Sequence, residues 1–214
     1  MLFRSATDLQ PVGDPFVVTL GRHADTVQLY RETRQRGGVD VVFLDAPDAF
    51  RRKGIYGEGG YDYGDNHIRF GFFSRAALAA ADRLVPGPLL IHAHDWHTAA
   101  IPAFLKYRFR EHPHWAKTRS LFTIHNLAYQ GRYGKQHYAS TGLPEQLFHL
   151  DAFEYEGDMS LLKGALAYAD RLTTVSPRYA KEIQTVEYGC GLHGMLQKRA
   201  DVLTGILNGA DYSV

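Results

Sequence analysis

A doubly wound, mostly parallel α/β sheet is the fold class this sequence predicts, and three observations predict it. Apolar runs of four to six residues alternate with helical patterns from residue 89 onward, as crossover units of a parallel sheet do. Two of those runs, in Leu89 to His97 (LLIHAHDWH) and Leu121 to Gly131 (LFTIHNLAYQG), end in clusters of His, Asp or Asn. Strands buried on both faces read in this way when they deliver polar side chains at their carboxyl ends. The two strand ends are therefore expected to form one site. The third observation is size: 214 residues suffice for one sizeable core but are short for two independent α/β domains.

In chain order, Phe16 to Leu20 is apolar and β-branched and reads as a strand. Residues 27 to 35 alternate, Arg36-Gly37-Gly38 supplies a turn, and residues 39 to 44 return, so a β-hairpin is expected near the start. Residues 48 to 63 mix Gly54, Gly57, Gly59 and Gly60 with Tyr56, Tyr61 and Tyr63, which reads as a surface loop or a binding-site flap. From Asp65, a candidate N-cap, Ile68, Phe72, Ala76, Ala80 and Leu84 recur every four residues and predict a helix buried along one face. Pro86-Gly87-Pro88 stops it. Strand 89 to 94, helix 97 to 109, strand 119 to 124, a helix around 160 to 169 and strand 171 to 175 follow. A helix opened by Ser176-Pro177, another around 193 to 200 and strand 202 to 207 complete the pattern.

Composition excludes several classes of function. With 24 basic and 23 acidic side chains the formal charge is +1, so no basic excess points to nucleic acid. A single cysteine, Cys190, rules out an intramolecular disulfide and fits a reducing compartment, with the cytoplasm the expected location. No apolar run approaches the roughly 18 residues that span a bilayer, and Met1 to Gln10 lacks the pattern of a signal peptide, so no membrane partner is expected.

Chemistry concentrates at the two strand ends. His92 and His94 share one strand face, with Asp95 and His97 close behind, which invites a metal reading. The pattern His-x-His-x-Asp-His needs an acid where Trp96 stands, and no downstream ligand set has suitable spacing, so no metal is expected. His92 reads as a satisfied core or supporting residue, and Asp95 as a site residue. In the second cluster, His125 and Asn126 leave adjacent positions in different directions, so one can line a crevice while the other fixes the loop. Neutral hydrogen-bonding groups beside Tyr and Trp faces suit sugars, and residues 56 to 63, Trp96 and residues 125 to 138 provide them. A covalent role for Asp95 would need a paired carboxylate, for which Asp151, Glu154 and Glu156 are candidates of unfixed placement.

The segments HAHDWHTAAIPAFL, FTIHNLAYQGRY, LLKGALAYADRLTTVSPRYAKEI, YGCGLHGML and GILNGADYSV, in this order and spacing, resemble the bacterial glycogen synthases and plant starch synthases that use ADP-glucose. The likeness runs from about Val18 to the last residue. It implies the N-terminal, Rossmann-like half of a glycosyltransferase B-type (GT-B) fold, with residues 16–214 as an incomplete catalytic domain and residues 1–15 a non-matching start, not native to the fold. Nothing before Phe16 matches the family's Lys-x-Gly-Gly donor loop, and the second Rossmann-like domain, with its diphosphate-holding Arg and Lys, is not matched either.

By the same resemblance the reaction is metal-independent transfer of glucose, with retention, from ADP-glucose to the non-reducing end of an α-1,4-glucan, without a cofactor. Asp95 would sit near the transferred glucose and the acceptor. His125 would contact the donor glucose, its carbonyl near the anomeric centre. Asn126 would support the loop, Tyr63 would face the donor sugar, and Asn208 would lie at the cleft. The fragment alone is expected to be inactive, and a non-catalytic glucan-binding or structural α/β domain is the alternative.

Overall fold

The computed structural model describes residues 9–33, 38–109, 111 and 115–210. Antiparallel strands come first. Strand β1 (Leu9–Leu20) turns at Gly21 and Arg22 into β2 (His23–Glu32), and β2 pairs in turn with β3 (Val42–Asp45), Gln28 opposite Asp45 and Arg31 opposite Val42. The expected hairpin between β2 and β3 is present, although its turn residues Arg36 and Gly37 lie outside the described residues. The β1–β2 hairpin was not anticipated from the sequence. Its first strand begins at Leu9 rather than Phe16, because backbone pairing with β2 carries the chain through Pro11 and Gly13, residues that read as breakers, with a register shift between Val12 and Phe16.

A short helix α1 (Pro47–Phe50) and a two-residue ribbon of β4 (Gly57–Glu58) and β5 (Tyr61–Asp62) give the expected loop more order than its composition suggests. Helix α2 (Asn66–Leu84) then starts at the expected N-cap, Asp65, but the Asp65 carboxylate does not cap it. Both its oxygens accept from the Arg52 guanidinium, at 2.7 and 2.6 Å, so the acid ties the loop to the helix start. The neighbouring Arg69 is buried and donates to the carbonyls of Ala49 and Ile55 and to Asn66 Oδ1.

The parallel sheet consists of β6 (Leu90–His94), β7 (Arg119–Ile124) and two later strands. Between β6 and β7 the expected single helix is broken into a 3-10 turn at Trp96–Thr98, α3 (Ile101–Ala103) and a π-helical turn at Phe104–Arg108. Pro102 in the second helical position explains part of this break, since it has no backbone N–H to donate. A second small antiparallel sheet gathers β8 (Arg132–Gly134), β9 (Glu154–Tyr155) and β10 (Asp158–Ser160). Helix α4 (Leu161–Tyr168) is capped by Ser160 Oγ, strand β11 (Arg171–Thr174) follows, and α5 (Pro177–Glu182) is capped by Ser176 Oγ. Helix α6 (His193–Lys198) and strand β12 (Leu203–Gly205) close the series. The strand order is β12-β11-β7-β6, all neighbours parallel, so the four carboxyl ends share one edge.

Alternation gives the sheet two unlike faces. Ala93, Phe122, Ile124, Leu172 and Thr174 point to one side and are buried, with α3 and α4 packed together in the layer above them. Leu90, His92, His94, Leu121, Thr123, Thr173 and Thr204 point to the other, and of these Leu90, His92, His94 and Thr204 are exposed. At the β6 edge the Thr98 hydroxyl takes the place of a neighbouring strand: Oγ1 accepts from the His94 N–H at 2.6 Å and donates to the His94 carbonyl at 2.7 Å.

Candidate active site

At the carboxyl edge of the parallel sheet the backbone departs from ordinary geometry. Asp95, directly after β6, has φ 53° and ψ −179°, a region that residues with a Cβ rarely occupy. Holding it there costs about 1–3 kcal/mol, which the surrounding hydrogen bonds must offset. Its N–H still donates to the Thr123 carbonyl at 3.0 Å, extending the ladder with β7, and its carbonyl accepts from Thr98 N–H at 3.2 Å. The side chain is turned toward β7, where Oδ1 accepts the His125 N–H at 2.9 Å. The two strand ends are thus joined directly, as their sequence clusters predicted.

Beyond that junction lies a cavity of about 380 Å³ lined by Tyr56, Asp62, Asp95, Trp96, His97, Asn126 and Tyr129. That volume falls in the range of small-molecule pockets. Its walls combine aromatic faces with two carboxylates, a carboxamide and an imidazole. Trp96 is buried between the edge of Phe70 and the rings of His97 and Tyr133. Gly131 sits against it: with φ 60° and a Cβ position 2.6 Å from the Trp96 ring, no other residue fits. His97 stacks near Tyr56 and Phe70, and burial pushes its imidazole pKa down, against the opposing pull of Asp95. Its Nε2 is buried without a hydrogen-bond partner. Asn126 lines the cavity while its Oδ1 accepts from Ala128 N–H at 3.0 Å, which fixes the loop leaving β7.

Beside the cavity the histidines form a polar run across three strands. Thr173 and Thr123 hydroxyls are 2.5 Å apart, Thr123 Oγ1 is 2.6 Å from His92 Nε2, and the His92 and His94 ring centroids are 4.1 Å apart. His94 Nδ1 lies 3.0 Å from His125 Nε2. Burial, followed by repulsion from neighbouring imidazoles, lowers the pKa of both His92 and His94. His92 is therefore hydrogen-bonded as expected, but it lies on the exposed face of the sheet and not in the core. Among the described residues no group of three or more His, Cys, Asp or Glu side chains is arranged to hold a metal ion.

The structure brings Asp95, His125 and Asn126 together, and neither of the other two expected site residues lines the cavity beside them. Tyr63 does not line the cavity. Its ring lies under the guanidinium groups of Arg52 and Arg69, at 4.8 and 5.0 Å, and its hydroxyl accepts from Gly54 N–H. The same loop presents Tyr56 and Asp62 to the cavity instead. Asn208 follows β12 at the same sheet edge, but β12 is three strands from β6, roughly 14 Å at the usual strand spacing.

Asp62 and His97 were missed as site residues. The acid among tyrosines in YDYGDN was the available signal for Asp62. It supplies a second carboxylate to the cavity that sequence reasoning did not foresee. The three acids considered as partners for Asp95 lie elsewhere: Asp151 pairs with Lys198, Glu154 accepts from Gly157 N–H, and Glu156 pairs with Arg132.

Comparison with known proteins decides the family. The model of the starch synthase catalytic domain matches residues 3–198. The chain belongs to the starch synthase catalytic domain family. Among curated proteins, a glycogen synthase of Thermodesulfovibrio yellowstonii is 45% identical over 175 residues, covering 82% of this chain and 35% of that protein. A glycogen synthase of Anaeromyxobacter sp. (strain K) is 44% identical over 207 residues, covering 96% of this chain and 42% of that protein. The catalytic domain of starch synthase IV from Arabidopsis thaliana, solved bound to ADP and acarbose, superposes with a TM-score of 0.84 at 30% identity, covering 95% of this chain and 41% of that one. The Rossmann-like α/β architecture of the GT-B type, expected from the resemblance, is thereby borne out. The chain spans about two fifths of the length of the relatives it matches.

Proposed function

We propose that this chain supplies the first-domain side of the cleft of an enzyme that transfers glucose from ADP-glucose to the non-reducing end of an α-1,4-glucan. Retention at the anomeric carbon, without a metal or cofactor, completes the reading. The observation that carries it is the Asp95–His125 junction: a strained carboxylate at one strand end holds the backbone of a histidine at the next, beside a cavity walled by Tyr56, Trp96 and Tyr129. Aromatic faces meet the C–H surfaces of sugar rings, while Asp95, Asn126 and His97 offer partners for hydroxyls. Support comes from family membership and from the ADP and acarbose bound by the Arabidopsis domain.

In this mechanism the His125 carbonyl is a fixed dipole near the carbon where positive charge develops, and the His125 ring contacts the donor sugar. Asp95 orients both by holding the His125 N–H. Asn126 keeps the loop in shape, Tyr63 braces the flap that carries Tyr56 and Asp62, and Asn208 contributes from the cleft edge. The diphosphate is held by groups outside these 214 residues, on a second Rossmann-like domain, and the protein acts in the cytoplasm. Consequently the chain alone is inactive. Labelled glucose transfer from ADP-glucose and UDP-glucose to glycogen, measured for this chain and for the longer protein that contains it, tests the proposal. Transfer by the longer protein only, with ADP-glucose preferred, is the expected result; transfer by the 214-residue chain, or by neither, would contradict it.

A further inference from the structure

We propose that His94 is a positioning residue for His125: the contact between His94 Nδ1 and His125 Nε2 holds the orientation of the His125 ring, ties its tautomer to that of His94 and leaves its Nδ1 to meet a ligand. The consequence for glucose transfer rests on the reading of His125 given above, but the ring-to-ring contact does not. Two neutral imidazoles 3.0 Å apart can share one proton, one nitrogen donating and the other accepting. His125 is then held at two points, its backbone N–H on Asp95 Oδ1 and its ring on His94.

His94 is itself restrained. Its N–H and carbonyl are both engaged by the Thr98 hydroxyl, and its ring lies against His92, which is anchored on Thr123 and through it on Thr173. The parallel register places His94 opposite Thr123 and Thr123 opposite Thr173, so the whole run is built on three neighbouring strands and not on a loop. A metal-bound imidazole commonly has its orientation and tautomer set by what its other nitrogen meets. Here a second imidazole plays that part for a ring that holds no metal. Such fixation matters because a ring free to turn over would present either nitrogen to a sugar hydroxyl.

The test is long-range ¹H–¹⁵N correlation spectroscopy of histidine-labelled 214-residue chain, at alkaline pH where the imidazoles are neutral. The His125 signals are assigned by their loss in His125→Ala. In the unsubstituted chain the His125 tautomer ratio is expected to differ from that of a free imidazole, because it is coupled to the proton placement on His94. In His94→Ala it should become the mixture typical of a free imidazole, and in His94→Asn, which retains a polar atom near the place of Nδ1, a ratio displaced from that mixture should persist. His92→Ala, which leaves the His94–His125 contact in place, should preserve it too. Backbone amide spectra confirm that the exposed substitutions leave the fold unchanged. Identical His125 signals with and without the His94 ring would overturn the proposal.

Transfer by the longer synthase separates the two readings. A fall in kcat in His94→Ala with KM for glycogen held, and partial recovery in His94→Asn, supports both. Altered His125 signals with unaltered transfer would keep the pairing and remove His125 from the reaction. Lost transfer with unaltered His125 signals would overturn the positioning role.

Discussion

The two faces of the parallel sheet are made by the same four strands and differ in almost everything else. On the covered face Phe122, Ile124 and Leu172 are 0% exposed. On the opposite face Leu90 is 69% exposed, and hydroxyls on the central strands are linked to imidazoles on the β6 edge. One face holds the sheet against its helices by apolar burial. The other gives up that stabilisation and carries a polar run that leads to the strand ends where Asp95 and His125 meet. Packing is thereby assigned to one set of alternate residues and, on the proposed function, chemistry to the other, so a substitution at position 122 and one at position 121 should report on different properties.

That contrast is broken most severely from the covered side. Phe122→Ala should cost about 3–5 kcal/mol in urea-induced unfolding, the range for a large aromatic lost from a core, whereas Leu90→Ala on the other face should stay within about 0.5 kcal/mol. Equal losses at the two positions would show that both faces are packed in solution. Gly131→Ala comes next. A methyl group there meets the Trp96 ring at a positive φ, and a loss of about 1–3 kcal/mol is expected, together with a change in Trp96 fluorescence. Asp95→Gly sharpens the comparison from the site side. Glycine relieves the backbone strain while the bond to His125 disappears, so stability should remain within about 1 kcal/mol of the parent while any transfer by the longer protein is lost.

The smallest effect is a slope with pH. His67 is buried, with Nδ1 unpartnered and its ring against His137 and Tyr133. Burial, and then His137, hold its pKa below the usual 6.5. Between the folded and unfolded values the unfolded chain binds more protons, so Tm should fall as pH drops through about 6.5, and the fall should end once pH is below the folded value. His92, His94 and His97, also lowered, add in the same sense. In His67→Phe the slope should be shallower; an unchanged slope would remove His67 as a contributor.

What could be read from the sequence follows the same division. Strands 89 to 94, 119 to 124 and 171 to 175 were legible because apolar runs bounded by turn residues leave little choice, and Ser176 caps the helix it was read to open. The junction of the two polar clusters was legible because parallel strands must share a carboxyl edge. Less legible was whatever long-range pairing decided. The Asp65 side chain was taken by Arg52 instead of its own helix, and Tyr63 was drawn under two arginines while Tyr56 and Asp62 reached the cavity. Helix 97 to 109 broke where Pro102 interrupts its hydrogen bonds. The partners of Asp65 and Tyr63 lie beyond a helical or strand period, which is as far as pattern reasoning extends, whereas Pro102 is local and stood in the sequence to be read.

The most direct test of the division between the faces is His125→Ala in the longer protein proposed above, with glucose transfer from ADP-glucose to glycogen and Tm measured on the same preparation. The expected result is a fall in transfer of about 10²-fold or more with Tm unchanged, since His125 is exposed and, in the proposed mechanism, meets the donor and not the core. Transfer equal to that of the unsubstituted enzyme would place the chemistry elsewhere than the junction of β6 and β7. A loss of transfer accompanied by a matching loss of Tm would make His125 a structural residue and contradict the assignment.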